Sequence, residues 1–312
     1  MTHPASTRPA ATRPTATRPT ATRPTGTRPT GTRRGHPSWR LRALALASGA
    51  ILAPLPARAD PWVPAAGTGE IKPMLRYFDA NTAFSPTGGF TSNTVSGPTE
   101  TETQIRITGE HGLGHGFSLE YDLRDGFLRK TRVKGKKDIT TSAAGLRDQE
   151  IGLNYGLTQR PDFADSVTFN VVLPTGTAGS LPALGTGRWA VEPDFQIGTR
   201  FAGGHAHLTG TFGPRIFLDG LTTQLRGTVG IGVSPLRGLT LSATAFYVRT
   251  VVQRHSIPVA ADGELYNVFR LGGTISYRLT PRFAPFFQYE RYLAGKRIHA
   301  GERFVLGVAI KY

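Results

Sequence analysis

The stretch that decides the fold is Phe304-Val305-Leu306-Gly307-Val308-Ala309-Ile310-Lys311-Tyr312. Successive side chains of a β-strand point to opposite faces, so residues two apart share a face. Phe304, Leu306, Val308, Ile310 and Tyr312 then fall on one side, and Val305, Gly307, Ala309 and Lys311 on the other. One face is fully apolar and carries an aromatic residue at each end. The other is small or charged. A strand of this kind needs an apolar medium on one side only.

The same alternation recurs upstream. Phe117, Leu119, Tyr121 and Leu123 oppose Ser118, Glu120, Asp122 and Arg124. Val191, Phe195, Ile197 and Phe201 oppose Glu192, Asp194, Gln196 and Arg200. Phe269, Leu271, Ile275 and Tyr277 oppose Arg270, Thr274, Ser276 and Arg278. Twelve such segments are read near 68–78, 100–111, 114–128, 146–158, 165–173, 189–201, 205–217, 222–233, 239–253, 264–278, 282–293 and 301–312. An even count of amphipathic strands separated by turn residues is the signature of a bacterial transmembrane barrel. The predicted fold is all-β: a single antiparallel transmembrane β-barrel of about 12 strands over residues 60–312, with both termini periplasmic. The gaps agree with this. Those assigned outside, 79–99, 129–145, 174–188, 218–221, 254–263 and 294–300, are longer than the periplasmic ones except for 218–221. A soluble β-sandwich also alternates, because one face of each sheet meets the core. It accounts less well for mixed charges along the whole polar face and for a chain ending inside a strand on an aromatic residue.

Composition narrows the function classes. The chain carries 37 Lys and Arg against 21 Asp and Glu. Ten of the bases, all Arg, precede Asp60, and no acid does. The remainder holds 27 bases and 21 acids, a net charge of +6 rather than +16. Nucleic-acid binding needs its basic excess on the folded domain, so no nucleic-acid partner is expected. The absence of cysteine excludes a lipidated anchor, disulfides and Cys-based metal sites. The longest apolar stretch, Ala43–Pro56, is shorter than the roughly 20 residues a spanning helix needs.

Residues 1–32 hold a five-residue Thr-Arg-Pro-Thr-Ala-type repeat, expected to be a disordered tail or an extension from a misassigned start. Residues 33–59 read as a signal peptide. Arg33, Arg34, Arg40 and Arg42 are its basic region, and Ala43–Leu55 its apolar region. Ala57-Arg58-Ala59 is its small-x-small cleavage site, leaving Asp60 as the new N-terminus. The expected location is the bacterial outer membrane.

Two resemblances follow from motifs. The last strand is similar to the assembly signal of outer-membrane barrels, with Gly307, Ile310 and Tyr312 at the glycine, hydrophobic and terminal aromatic positions, and Val305 departing where a polar residue is usual. That resemblance implies the barrel-assembly machinery as a partner. Val171-Val172-Leu173-Pro174-Thr175-Gly176, opening a loop that ends Gly185-Thr186-Gly187, resembles the family of outer-membrane barrels associated with the MetA pathway of phenol degradation. The resemblance extends in layout over residues 145–312 and implies a transporter.

The inward face supplies the candidate site. The lumen-lining candidates are Arg76, Arg106, Glu120, Asp122, Arg124, Glu192, Asp194, Arg200, Arg226, Arg270, Arg278 and Glu290, joined on the same face by Glu70, Lys72, Glu110, Arg215 and Arg303. Opposed acids and bases either pair as structural fill or set solute selectivity. Aromatics at strand ends form interfacial girdles, among them Tyr77, Trp189, Phe217, Tyr289, Tyr292 and Tyr312. The run 129–137 holds six bases, suited to lipopolysaccharide phosphates or simply solvated. No catalytic residue, metal ligand set or cofactor motif emerges. His255-Ser256 are adjacent rather than facing, and no Gly-x-Ser-x-Gly elbow is present. The reading is a passive channel or transporter for small solutes, seated in outer-membrane lipid and lipopolysaccharide. The alternatives are a barrel hydrolase acting on lipid or protein, and a structural or adhesive barrel.

Overall fold

The computed structural model describes residues 61–91, 99–134, 137–219, 222–253 and 266–312. The repeat tail, the signal segment with Ala57 and Ala59, Asp60, the 254–263 gap with His255 and Ser256, and part of the 79–99 gap lie outside these residues.

The described residues form fourteen strands in one antiparallel sheet: β1 (Gly69–Phe84), β2 (Phe90–Thr91), β3 (Thr99–Gly114), β4 (Phe117–Lys134), β5 (Lys137–Leu146), β6 (Gln149–Gln159), β7 (Phe163–Leu173), β8 (Ala190–Phe201), β9 (Ala206–Phe217), β10 (Thr222–Leu236), β11 (Leu239–Gln253), β12 (Asn267–Tyr277), β13 (Phe283–Lys296) and β14 (Ile298–Lys311). β14 pairs with β1 from Glu70 opposite Lys311 to Phe84 opposite Ile298, which closes the sheet into a barrel without edges. β5 and β6 both pair with β4, are separated only by Arg147 and Asp148, and so form one bent stave. β2 is a two-residue fold-back on β1. The wall therefore has twelve staves, the number read from the alternation.

The period of two decides which residues face out. Leu306 is 63% exposed while its neighbour Val305 is 3% exposed, and Ile105 at 62% sits beside the buried Gln104. Outward positions on β6, β8 and β10 are Ile151, Leu153, Tyr155, Phe195, Ile197, Val229 and Ile231. This band suits a bilayer, in which the closed ladder presents no open sheet edge.

One barrel end carries short turns and both ends of the described chain. There, Gly114, His115 and Gly116 all have positive φ, which lets three residues reverse the chain between β3 and β4. The opposite end carries the 174–189 connection, the longest wholly described one, alongside tight turns such as that between β13 and β14.

Two predicted loops are corrected. Of residues 129–145, read as a loop, the described ones, 129–134 and 137–145, are the arms of β4 and β5, paired from Asp125–Leu146 to Lys134–Lys137. The alternation there uses Thr, Ser and Ala, which carry little hydrophobic signal. Residues 294–300, also read as a loop, contain a turn with the single residue Arg297 between β13 and β14, at φ 55°. Two girdle residues are corrected as well. Phe217 and Tyr292 point inward and are 3% and 6% exposed. Each was assigned by its position near a strand end, whereas its parity matches Arg215 and Glu290, which face the lumen.

Candidate functional site

The inward side chains form two charged arcs. The first runs along β3, β4, β6, β8, β9 and β10. Arg106 grips Asp122 with both Nε and Nη2, the Nε bond being 2.6 Å. Asp122 is shared with Arg124, which reaches Glu150 at 2.7 Å. Arg215 bridges Glu150, at 2.8 Å, to Glu192, and Arg226 binds Glu192 at 2.7 Å. Four guanidiniums thus alternate with three carboxylates in an unbroken chain. Fork geometry and charge make such bonds strong in a low-dielectric interior. Parity aims these residues inward, and antiparallel register brings them together: Arg106 lies opposite Arg124 on β4, and Asp122 opposite Glu150 on β6.

The second arc lies on β12, β13, β14 and β1. Arg270 and Arg303 share Glu290 at 3.2 and 3.0 Å. Arg76 donates from Nη1 to the Gln104 carboxamide oxygen at 2.8 Å, and among the described residues no carboxylate lies within ion-pair distance of it. Among the described residues Glu290 is thus the one carboxylate at ion-pair distance from these three guanidiniums, while Glu102 stands behind Gln104, bonded to it at 3.3 Å and to Arg147 at 3.1 Å. Aromatic rings line this arc instead. The Arg270 guanidinium sits 3.8 Å from the centroid of Phe246, and Arg303 donates to the Tyr292 hydroxyl at 2.6 Å. Phe78, Val248, Val268 and Tyr292 form a buried apolar cluster inside the barrel, with Phe246 and Tyr266 packed on it.

Between the arcs lies a cavity of about 590 Å³. Residues 61–68 cross its turn end as a strap. Trp62 donates from Nε1 to the Arg160 carbonyl at 2.9 Å, and its ring stacks under Arg200 at 3.8 Å. Gln159 clasps the strap by accepting from Val63 N–H at 2.9 Å and donating to the Pro61 carbonyl at 2.8 Å. At the far side, Gly67 and Thr68 exchange backbone bonds with Gly112, each 2.9 Å. A Cβ at Gly112 would overlap the strap backbone, so this position requires glycine.

The Leu173–Gly176 motif serves a rim latch. The Asp148 carboxylate accepts from Gly176 N–H at 3.1 Å, Thr186 N–H at 2.7 Å and the Thr186 hydroxyl at 2.8 Å. The Thr175 hydroxyl donates to the Arg147 carbonyl at 2.7 Å. Any side chain at Gly185 would collide with Asp148. The glycines of this loop are there to let it wrap a buried acid.

Of the sequence candidates, Arg76, Arg106, Glu120, Asp122, Arg124, Glu192, Asp194, Arg200, Arg226, Arg270 and Glu290 line the cavity. Arg278 does not. It follows the last residue of β12 and lines a small crevice among the turns. Gly307 holds its place because a Cβ there would press on the Phe286 ring and Met74. Sequence reasoning missed Glu150 and Asp148, and it left open whether residues 60–67, with Trp62 and Pro64, plug the lumen or hang in the periplasm. Glu150 shares the parity of Gly152 and Asn154 and was recoverable from it. Trp62 has no periodic neighbours and gave no such signal.

Comparison with known proteins gives the following. No curated protein matches the chain in sequence. Among solved structures, an outer membrane channel from Pseudomonas putida F1 superposes with a TM-score of 0.62 at 13% identity, covering 83% of this chain and 100% of that one. The NanC porin superposes with a TM-score of 0.46 at 10% identity, covering 78% and 100%. At such identity the first likeness speaks for the shared fold. The profile of the family described as "Putative MetA-pathway of phenol degradation" matches residues 76–306. That span is most of the chain and takes in both charged arcs from Arg76 to Arg303, so the chain belongs to this MetA-pathway phenol-degradation family.

Proposed function

We propose that the protein is a passive channel of the bacterial outer membrane that admits small polar or weakly amphipathic solutes. The observation that carries this reading is the contrast across the wall: apolar outward side chains on a closed twelve-stave barrel, and a charged cavity of about 590 Å³ within it. A cavity of this size has room for a small solute together with several waters. Charged rings at such a waist select among solutes without consuming energy. In this reading the turn end and both chain ends face the periplasm, the long connections face outward, and the leader directs export before removal after Ala59. The basic arms of β4 and β5 then project beyond the membrane, where Arg129 and Lys137 meet lipopolysaccharide phosphates.

Reconstitution of the purified barrel into planar bilayers tests the reading. Discrete, ohmic conductance steps are expected. A correctly folded barrel that stays silent in every recording contradicts it.

A further inference from the structure

We propose that the arc of Arg76, Arg270 and Arg303 is a binding site for a small organic monocarboxylate with an apolar or aromatic body. The inference rests on the channel reading for its purpose and deepens that reading to a solute class.

The first ground is charge. Buried cations are normally matched by carboxylates. On the opposite side of the lumen they are, with three acids for four guanidiniums. Here one acid, Glu290, serves Arg270 and Arg303, and Arg76 holds only the neutral amide of Gln104 among the described residues. A guanidinium has five donors in a planar fork suited to a carboxylate, and Arg76 uses one of its own. Three guanidiniums here hold one carboxylate between them at ion-pair distance, two fewer than one apiece, and Arg76 keeps unused donors on a side chain that lines the cavity.

The second ground is the surface beside it. Phe246 and Tyr266 line the same cavity and back onto the buried cluster of Phe78, Val248, Val268 and Tyr292. An inorganic anion would gain nothing from that wall. An anion with an apolar body would satisfy Arg76 and cover the aromatic surface at once. Charge selects the head group, and the wall selects what it is attached to.

Isothermal titration of the folded barrel in detergent tests this, with benzoate as the probe and acetate, inorganic phosphate and benzyl alcohol as comparisons. Benzoate is expected to bind at least about tenfold more tightly than any of the three, since the charge-assisted fork and the apolar contact are both needed. Arg76→Gln is expected to weaken benzoate at least about tenfold, and Arg76→Lys, which keeps the charge, less than that. Folding of each variant is read from heat-modifiable gel migration. If Arg76→Gln does not fold, Arg270→Gln on another stave replaces it with the same expectation. Benzoate affinity unchanged in the glutamine variant, or equalled by acetate, phosphate or benzyl alcohol, overturns the assignment. Bilayer recordings separate the two readings. Arg76-dependent binding in a silent barrel supports the site and refutes the channel, whereas conductance without such binding does the reverse.

Discussion

The two arcs of the lumen use the same residue types to opposite ends. Along β3 to β10, Arg106, Arg124, Arg215 and Arg226 are each engaged by Asp122, Glu150 or Glu192. Along β12 to β1, Arg76, Arg270 and Arg303 have Glu290 and aromatic rings. A matched chain of charges braces the wall, because each group's desolvation is offset by its neighbours. A mismatched set holds unspent donors and tolerates loss of a member. The first arc reads as structure and the second as recognition, and the following substitutions probe that division.

The largest effect belongs to Glu150→Gln. Glu150 is the joint between Arg124 and Arg215, and its neutralisation removes one of the two carboxylates that each buried guanidinium holds, the others being Asp122 and Glu192. Two charge-assisted bonds at roughly 1.5–2 kcal/mol each put the expected loss at about 3–4 kcal/mol in guanidinium-driven unfolding from lipid vesicles. A loss under about 1 kcal/mol would show that the arc is not a brace. Next is Asp148→Ala, at the rim of the stave that carries Glu150. Three donors of the 176–186 loop lose their acceptor, costing about 2–3 kcal/mol and opening residues 177–185 to limited proteolysis. Trp62→Ala removes the stack on Arg200 and the bond to Arg160. It is expected to cost about 1–2 kcal/mol and to raise single-channel conductance by releasing the strap from the braced side. The smallest stability effect is expected for Arg76→Gln, which gives up one bond to a neutral amide, about 1 kcal/mol or less. Equal losses from Glu150→Gln and Arg76→Gln would erase the distinction between the arcs.

Much of this was legible because the barrel obeys one simple periodicity. Parity alone aimed Arg76, Arg106, Asp122, Glu192, Arg226, Arg270 and Glu290 at the cavity. It failed where another cue was preferred to it. Tyr292 and Phe217 were assigned by their aromatic character near a strand end, yet their parity turns them inward. Arg278 was extrapolated one residue past the end of β12, where alternation no longer constrains direction. The arms of β4 and β5 lie where the chain pairs with itself beyond the apolar band, so neither face is hydrophobic and the alternation fades. Which Arg meets which acid depends on stagger between staves, and pattern within a single segment holds no record of that. The strap is held by Gln159, Arg160, Arg200 and Gly112, contacts far apart in sequence with no periodic trace.

The zero-current potential across a planar bilayer under a potassium chloride gradient bears most directly on the central claim, that an unevenly charged lumen is the path of passage. The arcs carry seven guanidiniums and four carboxylates, and the rest of the cavity wall sets Lys72, Arg200 and Lys311 against Glu70, Glu110, Glu120 and Asp194, so the basic excess is small; a modest chloride preference is expected, and Arg76→Gln is expected to move the potential toward zero. A preference for potassium, or a chloride preference untouched by Arg76→Gln, would contradict the account.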